Sequence, residues 1–460
     1  MSSLQHHPAS FKDPSGFVFK KDNLLYRQVN KSYAEDYDLL MTSGLYKDLV
    51  GKKYLLNHSE TTENFSGSAD WYKTILPEQL SFTSYFYEWC FGQLKDAALL
   101  TLAVQKMAIK YGMVLKDATP SNVQFHKGRP VLIDTLSFEK YDQSQPWIAY
   151  RQFCECFLFP LYLQKYLGID LQKLMLAWPD GIPATVTKKM LPLKSNFNLG
   201  VGLHVSLQSK IKTSKNPVNY RGKFNQEKML QLVANLEDNI KVCILKKDKT
   251  TWSNYYAETI ISQSYLSKKA DIFHELINAA SFKTVLDIGA NDGFFSKLIA
   301  EKAKMVVAID FDVNCINSLY DHTRKQKITN ILPLCIDIAN PTPASGFNNT
   351  ERSSFLHRSH FDMVLALALV HHLAIGKNIP LQNIAASFKA IATTLIIEFI
   401  SKEDEKVKQL LQHRKDIFSN YAEAGFEEAF GEYFNIIAKT NIPGTYRIMY
   451  LLKRKDDQPD

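Results

Sequence analysis

Five strand-like runs in the second half of the chain, TVLDIG, MVVAIDFD, ILPLCID, FDMVLALAL and TTLIIEF, alternate with helical or polar stretches such as FFSKLIAEKA, VNCINSLYDHTRKQ and LQNIAASFKAIA. Apolar runs spaced by helix-length segments predict βαβ units, and therefore an α/β fold with a parallel, doubly wound sheet. The end of the chain breaks the alternation. FNIIAKTNIPGTYRIMYLLKR offers two β-rich runs joined by Pro443-Gly444 with no helix between them, which predicts a terminal antiparallel hairpin.

The chain has 460 residues, more than the roughly 250–300 at which one hydrophobic core usually stops growing, so two domains are expected. Hydrophobic residues at 45% and charged residues at 22% exclude a mainly disordered, collagen-like or coiled-coil chain. Between Gly181 and Gln226 there is no Asp or Glu, while Lys188, Lys189, Lys194, Lys210, Lys212, Lys215, Arg221 and Lys223 occur. That stretch reads as a solvated connection or as a phosphate- or nucleic-acid-contacting surface. The expected division is an N-terminal α+β domain over 1–215, a helical linker over 216–266 and a second domain over 267–456.

The longest apolar runs, around Phe157–Leu163 and Met363–Val370, fall short of the ~20 residues that cross a bilayer, so no membrane span is expected. The polar start MSSLQHHPASFKDPSG has no apolar segment of the signal-peptide kind, and the expected location is cytoplasmic. Six scattered cysteines, Cys90, Cys154, Cys156, Cys243, Cys315 and Cys335, are too sparse for a disulfide scaffold. The C-x-C at Cys154 and Cys156 lacks partners at zinc-finger spacing, so no structural metal is expected. A net charge of +8 permits an acidic partner without requiring one.

The chemistry-bearing segment is VLDIGANDGFFSKLI, residues 285–299. An apolar strand ends at Asp287, passes a turn containing Gly289 and Gly293, and enters a helix whose free N–H groups face the turn. The dinucleotide pattern G-x-G-x-x-G is absent, because Asn291 stands where the second glycine belongs, and this disfavours a plain NAD(P) site. The next strand ends in Asp310, about twenty residues after the turn, where a carboxylate accepts ribose hydroxyls.

This arrangement resembles the class I S-adenosylmethionine-dependent methyltransferases from roughly Ser267 to Arg454. VLDIGANDGFFS looks like the family's first motif, Asp310 its ribose-binding acid, Asp337 in LCIDIAN the acid beside the adenine, and FDMVLALALVHHL its fourth motif. The resemblance implies a Rossmann-like sheet with a reversed terminal strand and S-adenosyl-L-methionine as cofactor. It places Asp287, Gly289, Asn291, Gly293, Asp310 and Asp337 around that cofactor.

Methyl transfer from a sulfonium needs alignment of the acceptor and, for a hydroxyl, a base. His371 and His372 follow the fourth strand and are candidates for that base, or equally for polar residues that shape the pocket. Glu398 in LIIEF is a further candidate base, or a cap for the next segment. Enzymes that methylate exocyclic base amines usually carry an Asn/Asp-Pro-Pro-aromatic tetrapeptide after the fourth strand, where this chain reads LALVHHL. The NPTP at 340–343 follows the third strand and lacks the aromatic. The acceptor is therefore expected to be a small-molecule or carbohydrate-like hydroxyl or amine, and not nucleic acid. Trp252, Tyr255, Tyr256 and Tyr265 just ahead of the domain either roof the site or belong to a packing helix.

In the first half, VLKDATPSNVQFHKGRPVLIDTLSF looks like a kinase catalytic hairpin. Asp117 and Asn122 stand in the D-x-x-x-x-N spacing, and Asp134 falls where a second metal-binding aspartate ends such a hairpin. Leu115-Lys116 replace His-Arg, Thr135-Leu136 replace Phe-Gly, and no Gly-rich loop precedes them, so the expected domain is a degenerate or repurposed kinase-like lobe. A plain hairpin turning at Lys127-Gly128 is the alternative. The combination of both halves resembles the bacterial nodulation-related methyltransferases. Two other functions remain open: phosphotransfer by the first half, and cofactor binding without turnover.

Overall fold

The computed structural model describes residues 4–211, 224–245, 263–412 and 415–455. Trp252, Tyr255, Tyr256, Lys212, Lys215, Arg221 and Lys223 lie outside them. The chain divides into two compact units, one formed by Met1–Lys247 with Ala344–Ser353, the other by Asp248–Pro343 with Ser354–Asp460.

The first unit begins with a five-stranded sheet of β1 (Gln5–His6), β2 (Gly16–Lys21), β3 (Leu24–Asn30), β4 (His58–Thr61) and β5 (Trp71–Pro77), in the order β1-β2-β3-β5-β4. Every pairing in it is antiparallel. Helices α1 (Ala34–Thr42) and α2 (Leu45–Gly51) lie between β3 and β4, and α3 (Phe91–Lys110) follows β5. Then come β6 (Met113–Leu115), the hairpin β7 (Val123–His126) and β8 (Arg129–Leu132), and β9 (Phe138–Lys140), which pairs with β6. The hairpin turns at Lys127 and Gly128, both at positive φ, as the two-residue turn requires.

Part of the stretch expected as linker is helix α4 (Gln226–Lys241), which belongs to the first unit. Asn225 caps it by accepting the Lys228 N–H, and the spacing of Met229, Val233, Leu236 and Ile240 gives it one apolar stripe. That stripe packs on α3, with a Lys106–Glu237 ion pair alongside. All six cysteines are buried and unpaired with one another.

The described residues of the second unit start with α5 (Gln263–Asn278), and the unit is built on a seven-stranded sheet. Its strands are β10 (Thr284–Ile288), β11 (Met305–Asp310), β12 (Ile331–Cys335), β13 (Phe361–Ala366), β14 (Ala392–Ile400), β15 (Phe434–Asn441) and β16 (Arg447–Arg454). The order is β12-β11-β10-β13-β14-β16-β15. The first five in that order run parallel, and their apolar sequences match burial on both faces. β16 inserts antiparallel between β14 and β15, so the Pro443-Gly444 turn closes the hairpin read from sequence.

Helices α6 (Phe294–Ala300), α7 (Val313–Gln326) and α8 (Leu381–Ile391) alternate with the strands, and α9 (Glu423–Gly431) precedes β15. Asp312 starts α7 by accepting the Asn314 and Cys315 N–H groups, and Lys327 at positive φ ends it. Its buried stripe of Cys315, Ile316, Leu319 and Tyr320 faces the sheet. The chain runs outward from β10 to β12 and then returns to β13 on the other side of β10. The strand order therefore reverses between β10 and β13, where a crevice opens at the carboxyl edge.

Two boundaries differ from the sequence reading. β13 stops at Ala366, before the two histidines, because Ala368 takes φ +53 and turns the chain away. Glu398, read as a base or as a cap for the next segment, lies inside β14, since pairing with β16 extends the strand to Ile400. Among the described residues, no helix is long and apolar enough to cross a membrane.

Candidate functional site

β10 delivers Asp287 to the carboxyl edge, and the turn after it is tied down by backbone bonds. Gly289 and Ala290 both donate to the Ile309 carbonyl, at 2.9 and 3.0 Å, which binds the turn to β11. Gly289 has φ +75 and Asn291 φ +53, left-handed values that glycine and asparagine tolerate best. The nearest atom to a Cβ built on Gly289 is Leu369 Cδ1 at 3.6 Å, so this glycine is required for its backbone conformation. Gly293 too is left-handed, at φ +79, and in addition a Cβ there would lie 2.4 Å from Leu319 Cδ1, so it is also required by the close approach of Leu319.

Asp287 accepts the Ser296 hydroxyl at 2.5 Å, and burial pushes its carboxyl up to about 6, against that hydrogen bond and with help from Asp310. Asp310 ends β11. It takes the Asn291 N–H on Oδ2 at 2.8 Å and the Asp312 N–H on Oδ1 at 2.9 Å, and burial likewise pushes it up to about 6. The Phe311 N–H also bonds this carboxylate, so of its roughly four lone-pair sites about one is left for another donor. Asp337 stands two residues beyond β12 and accepts the Ala339 N–H at 2.9 Å.

One cleft takes in the three carboxylates together with Gly289 and Asn291. Its other walls include Leu367, Ala368, Leu369 and His372 after β13, and Phe311, an aromatic 57% exposed directly after Asp310. Ala368 in the left-handed region is strained for a residue with a Cβ, and strain of this kind concentrates at ligand sites. Of the residues read from sequence, Gly293, His371 and Glu398 do not line the cleft.

His372 is half-buried with its ring 4.0 Å from that of His371. Burial and the Lys406 charge lower its pKa to about 4, so it is neutral near pH 7. His371 is buried behind it, with Nδ1 lacking a hydrogen-bond partner among the described residues, and burial pulls its pKa well down.

Glu398 is wholly buried in a polar chain. Lys269 Nζ meets its Oε2 at 2.6 Å, the Tyr265 hydroxyl donates to Oε1 at 3.0 Å, and Arg447 stands 3.6 Å away. Those cations hold its carboxyl below the usual range despite burial. Arg447 in turn forks onto Asp404 at 2.7 and 3.1 Å. Tyr265, read as a roof or a packing residue, is thus part of this chain. Lys269 is the member that lines the cleft, and sequence reasoning passed over it, because nothing local marks one lysine on an amphipathic helix.

The first unit gathers its own polar group. Arg27 on β3 joins Asp134 at 2.6 Å and Asp13 at 2.7 Å. Asn122 donates to the Ser137 hydroxyl at 3.0 Å, and Gln152 donates to Asp117 at 3.3 Å. Burial, with a contribution from Asp134, raises the Asp117 pKa.

No protein-family model matches the chain. Among solved structures, the N-methyltransferase NodS from Bradyrhizobium japonicum in complex with S-adenosyl-L-homocysteine aligns with 45% of this chain and 100% of its own, at 12% identity and a TM-score of 0.33. An S-adenosylmethionine-dependent methyltransferase from Clostridium acetobutylicum aligns with 45% of this chain and 98% of its own, at 17% identity and a TM-score of 0.33. At 33% identity over 462 residues, 97% of this chain and 96% of the relative, the sequence aligns with the nodulation protein NoeA of Rhizobium meliloti strain 1021, and the chain belongs to the family of that nodulation protein.

Proposed function

We propose that this protein is an S-adenosylmethionine-dependent methyltransferase whose acceptor is a hydroxyl or amine of a small-molecule or carbohydrate-like compound. The observation that carries this reading is the convergence of Asp287, Asp310 and Asp337 on one cleft, from the carboxyl ends of three adjacent parallel strands and beside a left-handed glycine turn. Buried carboxyls with raised pKa values in a cleft mark a ligand site. The residues present fit the cofactor: Asp310 is a carboxylate at the cleft that can accept from a ribose hydroxyl, Phe311 and Ile338 offer apolar surface for a base, and Gly289 holds the left-handed turn beside them. When bound, the cofactor supplies a methyl group on a positively charged sulfonium. The chain's residues then orient the acceptor, exclude water and, for a hydroxyl acceptor, take its proton on the neutral imidazole of His372. Calorimetry with S-adenosylhomocysteine tests the reading: saturable one-to-one binding supports it, and the absence of binding removes it.

The first unit is read as a repurposed kinase-like lobe. Its sheet with a helix pair between β3 and β4, its long helix α3 and the hairpin before Asp134 support the likeness. The Arg27–Asp134 ion pair argues against metal-dependent phosphotransfer, because it engages a carboxylate that a metal would need. Titrating the full chain with magnesium-ATP tests this, and tight binding would restore the phosphotransferase alternative.

A further inference from the structure

We propose that Lys269 recognises the carboxylate at the amino-acid end of the cofactor, and that Glu398, backed by Arg447 and Asp404, is the positioning residue that holds the ammonium in place. The inference rests on the cofactor reading above.

α5 turns Tyr265, Lys269, Ile272, Phe273 and Leu276 toward the interior of the second unit. A lysine on such a face is costly unless its charge is met. The side chains of Lys269 and Glu398 are only 5% and 0% exposed, and they meet at 2.6 Å. An ammonium has three donors, and one hydrogen bond to Glu398 leaves two.

The charges form a row of alternating sign, Lys269, Glu398, Arg447, Asp404, in which cations and anions balance. If the row were only a structural clamp, it would have no reason to end on the ligand cleft. Lys269 does end there, with Asp287, Gly289 and Phe295 also in the wall and its Nζ 4.9 Å from the Phe295 ring centre. The wall at that end thus offers a cation and a carboxylate, Lys269 and Asp287, close enough to affect each other's ionisation. A cation and an anion side by side are the complement of a zwitterion, and the amino-acid end of S-adenosylmethionine is one. Adenosine hydroxyls and an apolar base offer Lys269 no charge to meet. Lys377 also lines the cleft but is exposed, where an ion pair contributes little.

The test is calorimetry on the full chain with two probes: S-adenosylhomocysteine and its decarboxylated analogue, which keeps the ammonium and lacks the carboxylate. The wild-type protein is expected to prefer the first by about 10–100-fold, the size of one charge-assisted hydrogen bond. Lys269→Met should abolish that preference by weakening S-adenosylhomocysteine alone, with the analogue within about 3-fold of wild type. Glu398→Gln should shrink the preference, a ligand-specific change that loss of stability alone does not produce. Lys269→Arg should retain it, and Lys377→Met should leave it unchanged. Because Lys269→Met strands a buried carboxylate, the double variant Lys269→Met/Glu398→Gln repeats the test with both charges removed. Survival of the preference in a folded variant lacking Lys269, or equal weakening of both probes, overturns the assignment. A wild-type protein that binds neither probe overturns the cofactor reading itself, a distinct result.

Discussion

Asp310 accepts the Asn291 N–H on one carboxylate oxygen at 2.8 Å, which couples the end of β11 to the turn that leaves β10. Through its other oxygen it takes the Asp312 N–H, and Asp312 caps α7. One side chain thus joins two successive βα units at the edge where the cleft opens, so a ligand bound to Asp310 senses the geometry of both.

Asp310→Ala should weaken S-adenosylhomocysteine binding by at least about 2 kcal/mol, because ribose hydroxyls lose charge-assisted hydrogen bonds in a desolvated site. Calorimetry reads this directly. An affinity equal to wild type would show that the ribose does not sit against this carboxylate.

The two glycines of the turn should separate by phenotype. Gly289→Val puts a β-branched residue at φ +75 in the cleft wall, and loss of binding is expected with the fold retained. Gly293→Ala drives a Cβ into Leu319, and a lowered melting temperature is expected with binding retained below it. Thermal melts with and without ligand distinguish the two, and exchanged phenotypes would refute the division of labour.

His372→Ala should lower kcat by about 10²–10³-fold once an acceptor is in hand, with cofactor affinity unchanged, as removal of a general base does. His371→Ala, behind the wall, should act mainly on stability. Near-wild-type turnover in His372→Ala would leave proximity alone as the catalytic device.

Asp287 gives the stability of the ligand-free protein a pH dependence of defined sign. Its folded-state pKa, pushed up to about 6, lies above its ordinary value. Below the ordinary value the carboxyl is protonated in both states and burial carries no ionisation penalty. As pH rises through about 6 the fold loses stability, by about 1.4 kcal/mol per pKa unit or about 3 kcal/mol in total. Asp287→Asn removes that loss and keeps an acceptor for Ser296, so its melting temperature should gain on wild type between about pH 4.5 and about pH 7.5. His372 has the opposite sign: its lowered pKa makes the fold lose stability as pH falls toward about 4. Only the variant-minus-wild-type difference isolates Asp287, and a difference that is flat across this range would contradict the buried ionisation.

What could be read from the sequence was what neighbouring residues settle among themselves. Apolar runs of strand length, helix-length spacers and glycines at a turn act within about thirty residues, so they announced the βαβ alternation, the closing hairpin and the carboxylates at strand ends. Gly293 shows the limit even there. It stands in the same motif and the same left-handed conformation as Gly289, yet only the closeness of Leu319 on α7 reveals that a side chain there would also clash.

The tertiary structure decided what depends on residues far apart in the chain. Glu398 resembled a base while its surroundings were unknown. Lys269, 129 residues upstream, and Arg447 on the last strand turn it into the centre of a buried ion row and take it off the cleft wall. The segment Ala344–Ser353, inside the stretch read as the second domain, groups with the first unit. For Glu398 the deciding interactions form only when the sheet brings β14 beside β16 and α5 against its face. Local periodicity carries no record of such pairings, because a side chain's burial and charge partners are set by which strands become neighbours, and that is a property of the whole sheet.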